Sequence, residues 1–150
     1  MLFRSFGMQH AYATHAAGAD LTYRFISRNG TGDTYEITGT FYRDCSGVAA
    51  PTTLPITISS VNCNYTNSSY SLPKVAGTGQ EITFPCSTSQ TKCTNSASPT
   101  LGFQKYVYRG NVVFPSQCTD WRISYSVLAR SEEHTSELQS PCNLVCRLLL

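Results

Sequence analysis

The chain has 150 residues, with 11 lysines and arginines against 9 aspartates and glutamates, a formal net charge of +2. These charges are scattered, so the sequence lacks the basic patch that nucleic-acid binding requires. No apolar stretch is long enough to cross a bilayer, and the sequence therefore predicts no membrane insertion. The length suits one domain with a single core. Tyrosine, threonine, serine and valine are abundant, which favours half-buried strands over helices.

Residues 1–13 resemble the rear part of an export signal. Arg4 precedes a weakly apolar stretch, and Ala11-Tyr12-Ala13 fits the small-x-small pattern of a signal-peptidase site. We therefore expect a signal remnant over 1–13 and a mature chain that begins near Thr14. The alternative is an accidental similarity, because the apolar centre is short and polar.

Two alternating segments follow. Leu21, Tyr23 and Phe25 alternate with polar residues, which predicts the first strand, and residues 35–42 alternate in the same way. Between the two segments stands Asn29-Gly30, a dipeptide typical of tight hairpin turns. The pattern predicts an antiparallel hairpin.

The middle of the chain predicts shorter strands. Residues 54–58 alternate and are entered through Pro51 and Pro55, which favours an edge position or a strand start. Residues 70–75 and 81–84 are further short candidates. A polar loop over 85–100 follows them.

The longest candidate strand is 103–114, and Arg109-Gly110-Asn111 within it predicts a bulge or a tight turn. Residues 121–127 alternate again and predict the last strand. Short strands at this spacing, with turn residues between them, predict an all-β fold: an antiparallel Ig-like β-sandwich of about seven strands.

The composition changes abruptly at Arg130. The segment Arg-Ser-Glu-Glu-His-Thr-Ser-Glu-Leu-Gln-Ser resembles the translation of a common sequencing-library adapter. We therefore predict a sandwich domain over 14–129, truncated at its C-terminus, and an adapter-derived, non-native tail over 130–150 that packs poorly against it or projects from it. The alternative is a genuine C-terminal helix.

The cysteines indicate disulfides rather than a metal or redox centre. Of the seven in the chain, those before the tail lack Cys-x-x-Cys spacing and have no histidine near them in sequence. Pairing of the first with the second and of the third with the fourth is one interpretation, which leaves the fifth without a partner. Spacing does not fix the connectivity. The disulfide candidates are Cys45, Cys63, Cys86, Cys93 and Cys118.

The sequence predicts neither an enzyme nor a bound cofactor or metal. The histidines before the tail, His10 and His15, lie at or before the expected mature terminus, so a mechanism that needs a positioned imidazole has no candidate. The acidic residues are scattered and suggest no glycosidase pair. Asp44 has three interpretations, a calcium ligand, a catalytic acid or a turn cap, of which the cap is the commonest.

Aromatic residues are the candidates for ligand contact. Tyr106, Tyr108 and Trp121 lie on predicted strands, where exposed rings would suit a surface glycan or a protein partner. Asp120 beside Trp121 invites the same interpretation. The alternative is that these rings occupy half-buried or core positions, and the alternation of Trp121 with Ile123 favours the core.

Five short segments of the sequence resemble a known class of proteins. They are residues 15–23, 41–47, 77–82, 118–121 and 124–126. They are similar to the N-terminal domain of large secreted surface proteins of Bacteroidetes, of the gliding-motility-associated or PKD-domain-containing type. This resemblance implies an extracellular or outer-surface location, type IX secretion and a non-catalytic adhesive or structural role. The alternative function is a carbohydrate-binding module attached to a secreted hydrolase.

Overall fold

The computed structural model describes residues 16–30, 32–83, 89–127 and 142–147 and shows two antiparallel four-stranded sheets. The all-β fold expected from the alternation is confirmed, and the described residues include no helix. Residues 1–13, the predicted signal remnant, lie outside the described residues. The strands are β1 (Ala16–Asn29), β2 (Gly32–Asp44), β3 (Thr53–Ser60), β4 (Tyr65–Pro73), β5 (Gln80–Glu81), β6 (Phe103–Phe114), β7 (Arg122–Val127) and β8 (Cys142–Arg147).

The first sheet has the strand order β1-β2-β6-β5. The predicted hairpin is present, with Asn29 opposite Gly32 at its turn. Strand β2 alternates strictly, because every second residue from Asp33 to Phe41 is buried. It pairs with β6 along its length, from Asp33 opposite Phe114 to Asp44 opposite Phe103.

The second sheet has the order β4-β3-β7-β8. Strand β3 is therefore interior, so the edge alternative is wrong, whereas the strand start is confirmed because β3 begins at Thr53, between Pro51 and Pro55. Pro55 is tolerated because β3 pairs with β7 only over Thr57–Ser59, so the proline lies outside the doubly paired segment.

The chain crosses between the sheets after Pro73. Lys74 forms a bridge to Tyr108 of the first sheet, and the Val75 amide donates to the Val107 carbonyl. Residues 74–82 then follow β6 as its outer neighbour. The predicted strand over 70–75 is thus divided between two sheets.

The core lies between the two sheets. Its centre is a series of edge-to-face aromatic contacts, with ring centroids 5.1 Å apart for Tyr35 and Phe114, 4.9 Å for Phe114 and Trp121, and 5.2 Å for Trp121 and Tyr65. Such pairs stabilise beyond the area they bury. The aliphatic core side chains are Ile37, Leu54, Ile56, Ile58, Leu72, Val112 and Ile123.

Two glycines face this core and leave room for leucines. A Cβ at Gly39 would lie 2.3 Å from Leu54 Cδ2, and one at Gly110 would lie 3.1 Å from Leu72 Cδ2. Strand β6 passes through Gly110 without a register shift. The bulge or turn predicted at 109–111 is therefore wrong, because this glycine provides space rather than a turn.

The tail departs from expectation in its described part. Its backbone at Cys142–Arg147 pairs antiparallel with Arg122–Val127 as strand β8. The expected projection is wrong for the backbone of these six residues, which are extended rather than helical. The other expectation, that the tail packs poorly, stays a prediction. The rest of the tail lies outside the described residues.

Two disulfides join the strands at opposite ends of β6. Cys45, directly after β2, bonds Cys93, with the Cα atoms 4.9 Å apart. Cys63, in the β3–β4 turn, bonds Cys118, with the Cα atoms 6.1 Å apart. The predicted pairings Cys45–Cys63 and Cys86–Cys93 are both wrong. Cys86 lies outside the described residues.

Candidate functional site

Two of the three aromatic candidates are buried. Trp121 is 1% exposed and Tyr108 0% exposed. The Trp121 indole donates to the Ser116 carbonyl, and the Tyr108 hydroxyl donates to the Pro51 carbonyl at 2.7 Å. Neither ring is open to a ligand from solvent, so ligand contact by these two residues is wrong. The polar group of each is satisfied inside the protein, as buried tyrosines and tryptophans require.

Tyr106 is half-buried and lies in a polar group that we call the Tyr106 cluster: Arg43, Lys74, Gln104 and Tyr106. The Lys74 ammonium lies over the Tyr106 ring, 5.5 Å from its centroid. The Tyr106 hydroxyl donates to Gln104 Oε1 at 3.0 Å. One exposed cation thus lies beside a half-buried ring that also packs against the core.

Gly79 allows this arrangement. It has φ +101°, a conformation that glycine adopts without strain, and its amide donates to the Lys105 carbonyl. A Cβ there would lie 2.5 Å from Tyr106 Cε1. The turn after Lys74 therefore packs directly on the tyrosine ring.

Arg43 forms the other end of the Tyr106 cluster. It is the register partner of Gln104, and its Nη1 donates to Gln104 Oε1 at 2.8 Å. Its Nη2 donates to the Gly47 carbonyl at 2.6 Å, and its Nε donates to the Val48 carbonyl. The guanidinium thereby holds the loop after Cys45 against the first sheet.

The Tyr106 cluster carries positive charge and has no carboxylate partner among the residues that the structure describes. In the described ranges the ion pairs are Arg24–Glu36 and Arg28–Asp33, and neither involves Lys74 or Arg43. Such a surface suits a negatively charged or strongly polar group. The cation over the Tyr106 ring is also partly stabilised by that ring.

The carboxylates of Asp44 and Glu81 accept hydrogen bonds within the fold. Asp44 accepts hydrogen bonds from the amide and the hydroxyl of Ser46, which makes it a turn cap. Glu81 accepts from the hydroxyl of Thr91. Each carboxylate thus has at least one donor within the fold.

Asp120 holds the β3–β4 turn. Its carboxylate accepts from the Ser60 hydroxyl and from the amides of Val61 and Asn62, the latter two at 2.8 and 3.0 Å. The Ser60 hydroxyl and the Asn62 amide lower the pKa of Asp120, because they stabilise its charged form. Asp120 therefore positions the turn that carries Cys63.

A bidentate ion pair joins the two strands of the first hairpin. Arg28 Nε and Nη2 contact the Asp33 carboxylate oxygens at 2.6 and 2.8 Å. The Asp33 side chain is 3% exposed, and its hydrogen bonds from Arg28 lower its pKa. This pair stabilises the hairpin near its turn.

Sequence reasoning found Tyr106 and missed its partners. Lys74, Gln104 and Arg43 come from three different segments, which only the strand register brings together. Alternation did carry one usable signal, since Gln104 and Tyr106 are two residues apart and must share a face of β6. Across the described residues, no group of three or more histidine, cysteine or acidic side chains is placed to hold a metal ion.

Comparisons with protein-family models, with curated proteins and with solved structures found no match to this chain. In the part of the chain that the structure describes, no helix is long and apolar enough to cross a membrane. The two disulfides indicate folding in an oxidising environment, since such bonds are rare in reducing compartments.

Proposed function

We propose that this protein is a non-catalytic extracellular β-sandwich module of a secreted or cell-surface multidomain protein, with an adhesive or structural role. The observation that carries the proposal is the pair of disulfides, one at each end of β6. Disulfides form and persist in exported proteins, where they stabilise small domains. The resemblance to surface proteins of Bacteroidetes, with type IX secretion, supports the same location.

The carboxylates support the non-catalytic part of the proposal. Asp44 and Asp120 are occupied by amides and hydroxyls of turns, and Glu81 by the Thr91 hydroxyl. Their hydrogen bonds hold the loops beside the disulfides. The chemistry of these groups is thus used to fix the shape of the module, which suits a scaffold or spacer.

Location and redox state test this proposal together. Antibodies against the domain should label intact cells of the source organism as strongly as permeabilised cells. Alkylation before and after reduction, followed by mass spectrometry, should show Cys45–Cys93 and Cys63–Cys118 bonded in the isolated protein. Labelling confined to permeabilised cells, with these cysteines free, would contradict the proposal.

A carbohydrate-binding role is the second candidate, and the Tyr106 cluster favours it. Lys74 and Tyr106 together offer a cation and an aromatic ring, a combination that suits a sugar carrying a carboxylate. In such a role the module would deliver a separate hydrolase to its polysaccharide.

Affinity electrophoresis separates the two roles. Gels that contain a uronate polysaccharide should retard the wild-type protein, and Lys74→Met should abolish the retardation. Lys105→Met is the matched control, because Lys105 is exposed on the same strand as Tyr106 but outside the Tyr106 cluster. Equal mobility of wild type and Lys74→Met in every gel would leave the structural role as the better explanation.

A further inference from the structure

Strand β1 forms one edge of the first sheet and is long for an edge strand. It runs over 14 residues, Ala16–Asn29, and pairs with β2 on one side. No described strand pairs with its other side. Alternate amides and carbonyls of this edge therefore face outward, and an unpaired strand backbone is a template for a further strand.

A regular segment lies in the middle of this edge. The pairing of β1 with β2 shifts register between Ala16 and Gly18 and again between Phe25 and Ser27. Residues 18–25, between these shifts, pair with β2 without interruption. Bulges discourage edge pairing where they occur. An added strand therefore fits between the two shifts rather than along the whole of β1.

The regular segment carries one acid and one base on the same face. Asp20 and Arg24 are exposed, and both lie on the solvent face because they are opposite Thr40 and Glu36 of β2. Arg24 contacts Glu36 through Nη2 at 3.1 Å, yet its side chain is 71% exposed, and a guanidinium has further donors. Among the described residues, Asp20 has no ion-pair partner.

These two charges make the segment self-complementary. When a two-fold axis relates two copies of a strand, they pair antiparallel around one residue that lies opposite itself. With Thr22 at that centre, Asp20 of each copy lies opposite Arg24 of the other, which gives two attractive pairs. A centre at Asp20 or at Arg24 would instead place like charges opposite each other. The charges therefore favour the register centred on Thr22.

The core-facing side of the segment fits the same register. Phe25 lies on this side, because its partner Tyr35 is buried and the two ring centroids are 5.5 Å apart. Phe25 is nevertheless 51% exposed. In the register centred on Thr22, Phe25 lies opposite Ala19, whose side chain is small. Strand addition would thus cover an exposed aromatic ring at the margin of the core.

We propose that the outer edge of β1 is a homodimerisation site, where a second copy of this chain pairs antiparallel over residues 19–25 with Thr22 at the two-fold axis. The four-stranded sheets of the two copies then form one continuous sheet. Main-chain hydrogen bonds supply the affinity, and the Asp20–Arg24 pairs set the register. This inference goes beyond the proposed function, because it assigns the module a defined partner.

Sedimentation equilibrium of the full chain tests the proposal. The weight-average mass should rise with concentration from 16.5 kDa toward twice that value. Asp20→Arg alone and Arg24→Asp alone should each weaken dimerisation roughly tenfold or more, because two attractive pairs become repulsive. Arg109→Asp is the matched control and should dimerise like the wild type, since Arg109 is exposed on the same face but lies on β6, separated from β1 by β2.

A mixture of the two charge variants gives the sharper result. In a dimer with one chain of each variant, both opposite-charge pairs are restored, although each variant repels a copy of itself. The equimolar mixture should therefore dimerise like the wild type. A wild type that stays at 16.5 kDa at every concentration, single variants that dimerise as strongly as the wild type, or a mixture that stays monomeric would each overturn the proposal.

The unmodified chain provides a second measurement if Arg24→Asp fails to fold beside Glu36, which Trp121 fluorescence would reveal. Hydrogen exchange is measured at low and at high protein concentration. Alternate amides within 19–25 should exchange more slowly at high concentration, whereas the amides of β6, an interior strand of the same sheet, should not change. If the exchange rates within 19–25 are independent of concentration, the β1 edge is not a dimer site.

Discussion

Removal of the Cys63–Cys118 disulfide should cost about 4 kcal/mol of unfolding free energy. The two cysteines are 55 residues apart in sequence, and cross-linking a loop of this length removes about that much conformational entropy from the unfolded chain. The Cys45–Cys93 bond spans 48 residues and should contribute nearly the same amount, because loop entropy varies only with the logarithm of length.

The folded state distinguishes the two bonds. Cys118 is 3% exposed and belongs to the core cluster, whereas Cys45 is half-buried. Replacement of both cysteines by alanine should therefore lower the unfolding free energy more at Cys63–Cys118 than at Cys45–Cys93, because the buried Cys118 sulfur also contributes packing to the core. A loss of about 4 kcal/mol is a large share of the stability of a small domain.

Urea unfolding followed by the fluorescence of Trp121 measures both effects, since this is the only tryptophan of the chain. C63A/C118A and C45A/C93A are compared with the oxidised wild type, and the reduced wild type serves as the limit in which both bonds are absent. A loss below about 1 kcal/mol for either pair would refute the chain-entropy argument, as would a larger loss at Cys45–Cys93.

Three further predictions concern packing and protonation. Gly39→Ala should lower the unfolding free energy by about 1–3 kcal/mol by overpacking, and Leu54→Val in the same chain should recover part of it in urea titrations. Because the pKa of Asp120 is lowered in the folded protein, its carboxylate stabilises the fold fully above the ordinary aspartate pKa. This contribution is lost as the pH falls through the pKa of Asp120 in the folded state. In a plot of melting temperature against pH, Asp120→Asn should therefore flatten the fall at acid pH. Burial raises the pKa of Tyr108 to about 12. Above the ordinary tyrosine pKa, Tyr108 therefore loses its proton in the unfolded chain before the folded one, and the free energy of unfolding falls as the pH rises. Tyr108→Phe should reduce this alkaline fall in melting temperature, and an unchanged alkaline melting curve would contradict the prediction.

The alternation of apolar and polar residues predicted most strands, because it records which face of each strand meets the core. Residues 35–42 show this directly, since their apolar members are the buried ones of β2. The turn signal of Arg109-Gly110-Asn111 was misleading, because β6 continues through Gly110. A glycine that provides space for Leu72 and a glycine that forms a turn are identical in sequence, and only the packing of the opposite sheet separates them.

The disulfides and the Tyr106 cluster were beyond sequence reasoning for a common reason. Cys45 bonds Cys93 because the end of β2 lies next to the chain segment that leads from β5 to β6. No local sequence pattern predicts that these two segments are close in space. Likewise Lys74 reaches Tyr106 only because the chain changes sheets after Pro73. Both features depend on strand order, which sequence alternation does not specify.

Both disulfides bear on the strand that carries Tyr106. Cys93 lies before β6 and Cys118 after it, so covalent bonds hold both ends of this strand. The Tyr106 cluster therefore depends on the same bonds that indicate an oxidising environment.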